Sequence, residues 1–301
     1  MKWAIGIDVG GSQLKAVAVT KEGVVRQRVS RATNPDAAVA AEWIAVAHAL
    51  IDELRAAQDG APATIGLCAP GLVAADGRSI AHLPGKLAGL AGIEWCHALA
   101  RGPVGPILND AHAAILGEAW IGAACGQKHV VMLTLGTGVG GAVISDGRLL
   151  RGAIGRAGHI GHLSLDPEGM VSITGMPGAI ETMIGDCTVV ARTAGRFAHT
   201  TALVAAHLAG DAEATRVWLK SIRALSCAVG SCINLFDPGI VIIGGGMAQA
   251  GAALFGPLAT ELARIEWRPQ GQGVPVVPAT LGSWAGAIGA AHHAFFSHES
   301  H

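Results

Sequence analysis

The apolar run Trp3-Ala4-Ile5-Gly6-Ile7 leads straight into Asp8-Val9-Gly10-Gly11-Ser12, and this junction limits the possible folds more than any other segment. A short apolar run bounded by turn residues reads as a buried strand. The glycines behind it read as a tight turn. Its backbone N–H groups can come close to an anion, because glycine has no Cβ in the way. A carboxylate at the strand end can hold Mg²⁺, usually through water. A plain hairpin turn accounts for the same residues, since a second strand, Leu14 to Thr20, follows at once.

The junction returns in the second half. Val130 to Leu135 reads as a strand, followed by Gly136-Thr137-Gly138-Val139-Gly140-Gly141 and a further strand, Ala142 to Ile144. Asp146-Gly147 then gives a strong hairpin signal. Two related lobes facing one another across a nucleotide cleft would produce this repetition.

Between the two junctions, Val24 to Val29 reads as a third strand. A helix beginning near Asn34-Pro35-Asp36 carries Trp43, Ala47, Leu50, Ile51 and Leu54 at helical spacing. Thr64 to Ala69 is a buried strand ending in Pro70-Gly71, and Ile107-Leu108 ends in Asn109-Asp110. Further on, a long helix, Ala212 to Asn234, leads into the strand Ile240 to Ile243, which ends in Gly244-Gly245-Gly246. Ligand groups in α/β folds gather at the carboxyl ends of strands. Bland readings exist beside this one. Asn109-Asp110 also fits a helix N-cap, the three glycines also fit close helix–strand packing, and Glu118 reads as a solvated or capping side chain.

The chain's 301 residues suffice for two lobes with separate cores. A composition that is 51% hydrophobic and 14% charged excludes a disordered chain, and a net charge of −1 offers no basic surface for nucleic acid. No apolar stretch reaches the roughly eighteen residues of a membrane span. The six cysteines are scattered without a Cys-x-x-Cys pair, which fits a reducing cytoplasm. No leader-like segment precedes the first strand, so the expectation is a cytoplasmic protein with no membrane or nucleic-acid partner.

Taken in order, these segments resemble the ROK family of sugar kinases, within the actin/hexokinase/Hsp70-like ATPase superfamily. The resemblance is carried by Ile7-Asp8-Val9-Gly10-Gly11-Ser12, Ala69-Pro70-Gly71, Asn109-Asp110-Ala111 and Leu135-Gly136-Thr137-Gly138-Val139-Gly140-Gly141. It continues through Gly155-Arg156-Ala157-Gly158-His159-Ile160-Gly161-His162, Asn234-Leu235-Phe236-Asp237-Pro238 and Gly244-Gly245-Gly246. It implies an α/β fold of two actin-like (ribonuclease H-like) lobes with an interlobe cleft. The expected small lobe is 1–115 plus about 285–301, and the expected large lobe is 116–284.

The resemblance also implies transfer of the ATP γ-phosphate to a sugar hydroxyl. Asp110 is then the general base. Asn109, Asp110, His159, His162 and Glu181 bind the sugar. Gly10, Gly11 and Ser12 cradle phosphates beside Asp8, which sits near Mg²⁺. Gly136, Thr137 and Gly138 approach the β- and γ-phosphates, and Gly244 and Gly245 pass beneath the adenosine. The expected ligands are Mg-ATP and a sugar, in a homodimer. A glucokinase-like hexose kinase leads. A kinase for N-acetylmannosamine or another N-acyl hexosamine is the near alternative, and a non-catalytic sugar sensor is the alternative of another class.

The sequence departs from the family twice. His159 stands where a glutamate is usual. A carboxylate only accepts hydrogen bonds, whereas neutral histidine donates one and accepts one. Some bacterial N-acetylmannosamine kinases are similar here. Secondly, the three cysteines that join the histidine matching His162 in a structural zinc site are replaced within Ser172-Ile173-Thr174-Gly175-Met176-Pro177-Gly178-Ala179. Serine and threonine hydroxyls cannot complete the tetrahedral N/S site that Zn²⁺ favours, so no zinc is expected. The loop is expected to hold its shape by packing and hydrogen bonds. His112 stands where an asparagine is common.

Overall fold

The computed structural model describes residues 2–33, 40–83, 87–99 and 102–297. The expected helix start at Asn34-Pro35-Asp36 and part of the loop 70–89 lie outside these. The chain divides into two compact units. The first comprises Met1–Gly126, Arg151–Ala157 and Leu281–His301, and the second comprises Gln127–Leu150 and Gly158–Thr280.

The first unit is built on β1 (Trp3–Val9), β2 (Gln13–Thr20), β3 (Val25–Ala32), α1 (Ala40–Ala56) and β4 (Thr64–Ala69). The short pieces β5 (Leu72–Val73), β6 (Ile80–His82) and α2 (Trp95–Ala98) follow, then β7 (Leu108–Asn109) and α3 (Asp110–Ile121). Its sheet has the order β3-β2-β1-β4-β7. β1, β2 and β3 run antiparallel, whereas β1–β4 and β4–β7 are parallel. Side chains alternate across a strand. Ile5, Ile7 and Val9 of β1 join Trp43, Ala47, Leu50, Ile51 and Leu54 of α1 in one buried cluster. Each large member of that stripe contributes about 1.5–3 kcal/mol by leaving water.

The second unit contains β8 (Val130–Leu135), β9 (Val139–Ser145), β10 (Arg148–Leu149), α4 (Ile180–Ile184), α5 (Val189–Arg192), α6 (Thr200–Leu208), α7 (Ala212–Phe236), β11 (Ile240–Gly244), α8 (Ala252–Ile265) and β12 (Val276–Pro278). The sheet order is β10-β9-β8-β11-β12. Strands β8, β9 and β10 are antiparallel neighbours, while β8–β11 and β11–β12 are parallel. The repeated junction seen in the sequence is therefore part of a repeated sheet topology. Asp146 and Gly147 both take positive φ (51° and 73°), as a two-residue hairpin with right-handed strand twist requires. Helix α7 begins at Asp211, whose side chain accepts from the Ala214 amide at 2.8 Å. It ends at Asp237 in the left-handed region, and Pro238 prevents its continuation.

The final helix, α9 (Ala285–Phe296), returns to the first unit. It lies directly on β1 and β4. A Cβ on Gly6 would come within 1.9 Å of the Ala287 carbonyl oxygen, and one on Gly66 within 1.9 Å of that of Ala290. These strand glycines allow two backbones to touch, so the α9 side of β1 is as tightly covered as the α1 side. Glu118 of α3 is fully buried rather than solvated. It accepts the Ala123 amide at 2.7 Å and the Leu281 amide at 2.8 Å, which makes the capping reading the correct one.

Candidate active site

In the first unit the parallel strands bring their carboxyl ends together. Asp8 of β1 lies in register with Cys68 of β4, and Ala69 of β4 with Asn109 of β7. Asp8 and Asp110 therefore share one end of the sheet and repel one another. Burial first, and then the charge of Asp110, push the pKa of Asp8 up to about 6. Lys15, directly opposite on β2, and the Cys68 thiol, which donates to Asp8 Oδ1 at 3.6 Å, work in the other direction. Asp110 opens helix α3. Its side chain reaches solvent, but protein on its other sides raises its pKa by desolvation, against the Ala111 amide that donates to Oδ1 at 2.9 Å.

Asn109 serves as the N-cap of α3. Its Oδ1 accepts from the amides of Ala111 and His112 at 3.0 and 3.3 Å, and its Nδ2 donates to the Gly71 carbonyl at 3.0 Å. Both ends of this amide thus anchor the start of the helix. Buried His112 meets the Ala157 carbonyl through Nε2 at 3.0 Å, which requires the Nε2–H tautomer. The turn Gly10-Gly11-Ser12 is held by Thr33. The Thr33 hydroxyl reaches the carbonyls of Gly10 and Gly11 at 3.4 and 3.3 Å, and its amide donates to the Ser12 carbonyl at 3.0 Å.

In the second unit the turn Gly136-Thr137-Gly138 is held by the segment 181–187. The amides of Asp186 and Cys187 donate to the carbonyls of Gly136 and Thr137 at 3.1 and 2.8 Å. Glu181 Oε2 accepts the Val139 amide at 3.0 Å. Committing a turn's carbonyls to protein suits an anion site, since backbone amides are what hold an anion. Beside this turn lies a cavity of about 680 Å³, the size of a small-ligand site. Val204 and Leu208 of α6 and Met247 give it apolar walls, and Asp186, His199 and Gln249 are among its polar groups. Asp186 Oδ1 accepts the Thr200 amide at 2.6 Å, and Oδ2 faces His199 Nδ1 at 3.3 Å. Burial opposes its charge, but the Thr200 bonds and His199 outweigh that and lower its pKa.

His159 and His162 stack with ring planes 7° apart and centroids 6.3 Å apart. Burial, then the charge of His162, lowers the pKa of His159. The loop that lacks cysteines is tied by hydroxyls. His162 Nδ1 meets Thr174 Oγ1 at 3.4 Å, and Thr174 Oγ1 meets Ser172 Oγ at 3.0 Å. Ser172 Oγ also accepts the amides of Thr174 and Met176, both at 3.3 Å. Bridge pairing of Ser164 with Ala179, and the Ile180 amide on the Leu163 carbonyl at 2.9 Å, bring the segment after His162 beside the one that leads into Glu181.

Asp8, Asn109 and Asp110 thus gather in the first unit, and Gly136, Thr137, Gly138 and Glu181 gather in the second. Gly244 and Gly245 do not line the cavity. Gly244 is a packing residue, where a Cβ would come within 2.9 Å of Met132 Cε. Gly245, at φ +83°, lets the chain pass the end of β8, where a Cβ would sit 2.2 Å from the Leu135 carbonyl. Gly246, Met247 and Gln249 line the cavity instead. Sequence reasoning missed Lys15, Thr33, Asp186 and His199. Lys15 follows from the β1–β2 register once a hairpin is assumed. The others sit far along the chain from the turns or cavity they serve, with no local signal. Among the described residues, no group of three or more His, Cys, Asp or Glu is arranged to hold a metal ion. No helix among them is long and apolar enough to cross a membrane.

Known proteins are similar to this chain. A glucokinase of Thermotoga maritima is 32% identical over 275 residues, covering 84% of this chain and 85% of that relative. An N-acetylmannosamine kinase of Yersinia pseudotuberculosis is 30% identical over 293 residues, covering 95% and 96%. Among solved structures, the ROK hexokinase of Thermus thermophilus superposes with a TM-score of 0.87 at 28% identity, covering 99% and 100%. A ROK family glucokinase of Streptomyces griseus, in complex with glucose and AMPPNP, has a TM-score of 0.77 at 26% identity, covering 97% and 99%. A family model described as the ROK family matches residues 4–295, and the chain belongs to that family.

Proposed function

We infer that this chain is an ATP-dependent hexose kinase of the glucokinase type. The observation that carries the reading is the pair of strand-end carboxylates, Asp8 and Asp110, both with pKa raised by burial, in a chain whose relatives are sugar kinases. A carboxylate with a raised pKa is a better base than a free one. Asp110 Oδ1 is engaged by the Ala111 amide, so Oδ2 takes the proton of the attacking sugar hydroxyl. The sugar oxygen bonds to the γ-phosphorus, the bond from that phosphorus to the β–γ bridging oxygen breaks, and ADP departs. Such a transfer is driven mainly by positioning and charge neutralisation. Asn109, His159, His162 and Glu181 orient the sugar. The amides of the turns at 10–12 and 136–138 hold phosphates, and the cavity beside the second turn takes the nucleoside.

Mg²⁺ fits the first unit. Asp8 would hold it through water, because a cation offsets both the burial and the Asp110 charge that raise the pKa of Asp8. When bound, the ion neutralises phosphate charge. A homodimer accompanies this reading through family resemblance alone, and a cytoplasmic location through the scattered cysteines. The second reading, an N-acyl hexosamine kinase, is favoured by His159 and by the N-acetylmannosamine kinase relatives.

The test is sugar-dependent ADP release from Mg-ATP across glucose, mannose, fructose, allose, N-acetylglucosamine and N-acetylmannosamine. Turnover is expected on at least one of them. In Asp110→Asn it should fall by about a hundredfold or more, the usual worth of a general base. Unchanged turnover in Asp110→Asn removes the mechanism, and turnover on N-acetylmannosamine alone selects the second reading.

A further inference from the structure

Glu181 is read above as a sugar ligand, yet its carboxylate is also built into the phosphate turn. Oε2 accepts the Val139 amide at 3.0 Å. The same oxygen occupies the space next to Gly138, where an added Cβ would stand only 2.2 Å from it. The backbone of the same segment completes the bracket. The Gly185 amide returns to the Glu181 carbonyl at 2.9 Å, and the amides of Asp186 and Cys187 hold the carbonyls of Gly136 and Thr137. Asp186 in turn lines the nucleoside cavity. One carboxylate therefore touches the turn through one oxygen, and its other oxygen can bind a hydroxyl.

We propose that Glu181 couples the two substrates, acting as a positioning residue for the phosphate turn as well as a ligand of the hexose. This rests on the kinase reading. A hexose hydroxyl that draws on Glu181 fixes the carboxylate, and the fixed carboxylate fixes the Val139 amide and the turn before it. The missing side chain at position 138 is what makes room for this contact, so Gly138 belongs to the sugar site although it never reaches the sugar. Gly136 differs. It sits in the same turn, but a Cβ there meets nothing within 4 Å.

The experiment is calorimetric titration of the intact chain with the best hexose of the panel, without nucleotide. Gly138→Ala should raise the sugar Kd by about tenfold, since its methyl group displaces Glu181. Gly136→Ala, in the same turn, should leave the sugar Kd within twofold. Glu181→Asp withdraws the carboxylate by one methylene and should weaken AMPPNP binding several-fold in the absence of sugar. It also serves if Gly138→Ala does not fold, as judged by its thermal transition. A sugar Kd in folded Gly138→Ala within twofold of the unmodified chain overturns the coupling, as does unchanged AMPPNP affinity in Glu181→Asp. An unmodified chain that binds neither hexose nor AMPPNP overturns the kinase reading, and the coupling falls with it.

Discussion

The two units share a sheet topology and differ in what they place at the strand ends. In the first, β1 carries Asp8 one residue before its end, and β7 ends in Asn109, followed at once by Asp110 of α3. In the second, the matching strand β8 carries Thr134 one residue before its end and β12, the counterpart of β7, ends in Pro278, with no carboxylate at either place. The same sheet thus presents titratable groups in one copy and bare backbone beside a cavity in the other. Both units bind the carbonyls of their glycine turn to protein. The first uses one residue, Thr33, at the end of the adjacent β3. The second uses a segment about fifty residues away, 181–187, which also reaches the cavity beside the turn. The topology sets where a turn lies, and what packs behind the turn sets what it can bind.

Three substitutions sharpen this contrast. The largest effect is expected at Gly245, where positive φ combines with a contact of 2.2 Å to the Leu135 carbonyl. Gly245→Ala must shift backbone and should cost on the order of 3 kcal/mol, from overpacking plus left-handed strain. Chemical denaturation would register it, and a loss under 1 kcal/mol would mean that the β8 and β11 ends are not locked together.

The next effect concerns Asp8, the carboxylate that the first unit carries on β1 and the second lacks on β8. Folded Asp8 has a pKa of about 6 against an ordinary 3.8, so the folded chain binds this proton more tightly than the unfolded chain does. Its contribution to stability is therefore fully present below about pH 3.8 and is lost as pH rises through about 6. Asn imitates the protonated acid. Asp8→Asn should stabilise the chain by about 1–2 kcal/mol at pH 8, after discounting for partial exposure, with a smaller gain at pH 5, while activity falls. A gain that is equal at both pH values would separate it from ionisation. The smallest effect is expected at Thr33. Thr33→Val removes the hydroxyl that serves the Gly10 and Gly11 carbonyls, a loss of about 1 kcal/mol. The KM for ATP should rise about fivefold with kcat little changed, and a change confined to kcat would contradict a role in holding the turn.

Much of this was legible in order along the chain. The strand-to-glycine junctions, the Asp146-Gly147 hairpin and the apolar stripe of α1 follow from periodicities of two and 3.6 residues, which are local properties. Asn109-Asp110 was legible as a pair, and the structure separates its two members. Asn109 is buried and largely spent on capping α3, whereas the Asp110 side chain reaches solvent. Gly244 and Gly245 read as glycines that pass beneath the adenosine, and glycine looks the same in sequence whether it makes room for a ligand or for a neighbouring strand. The positions of Met132 and the Leu135 carbonyl add a packing reason for both glycines that no local pattern carries. Glu118 was ambiguous for a similar reason, since its amide partners at Ala123 and Leu281 include one 163 residues away.

The sequence by itself determined the elements, their order, the family and the residue types available for chemistry, because these depend on local pattern and composition. Tertiary structure decided which oxygen of which carboxylate is free and what stands behind each glycine turn. It also decided that hydroxyls tie the loop at 172–178 to His162. Those facts depend on contacts between residues far apart in the chain. An unpaired oxygen or a filled space exists only after the backbone has brought its neighbours to it.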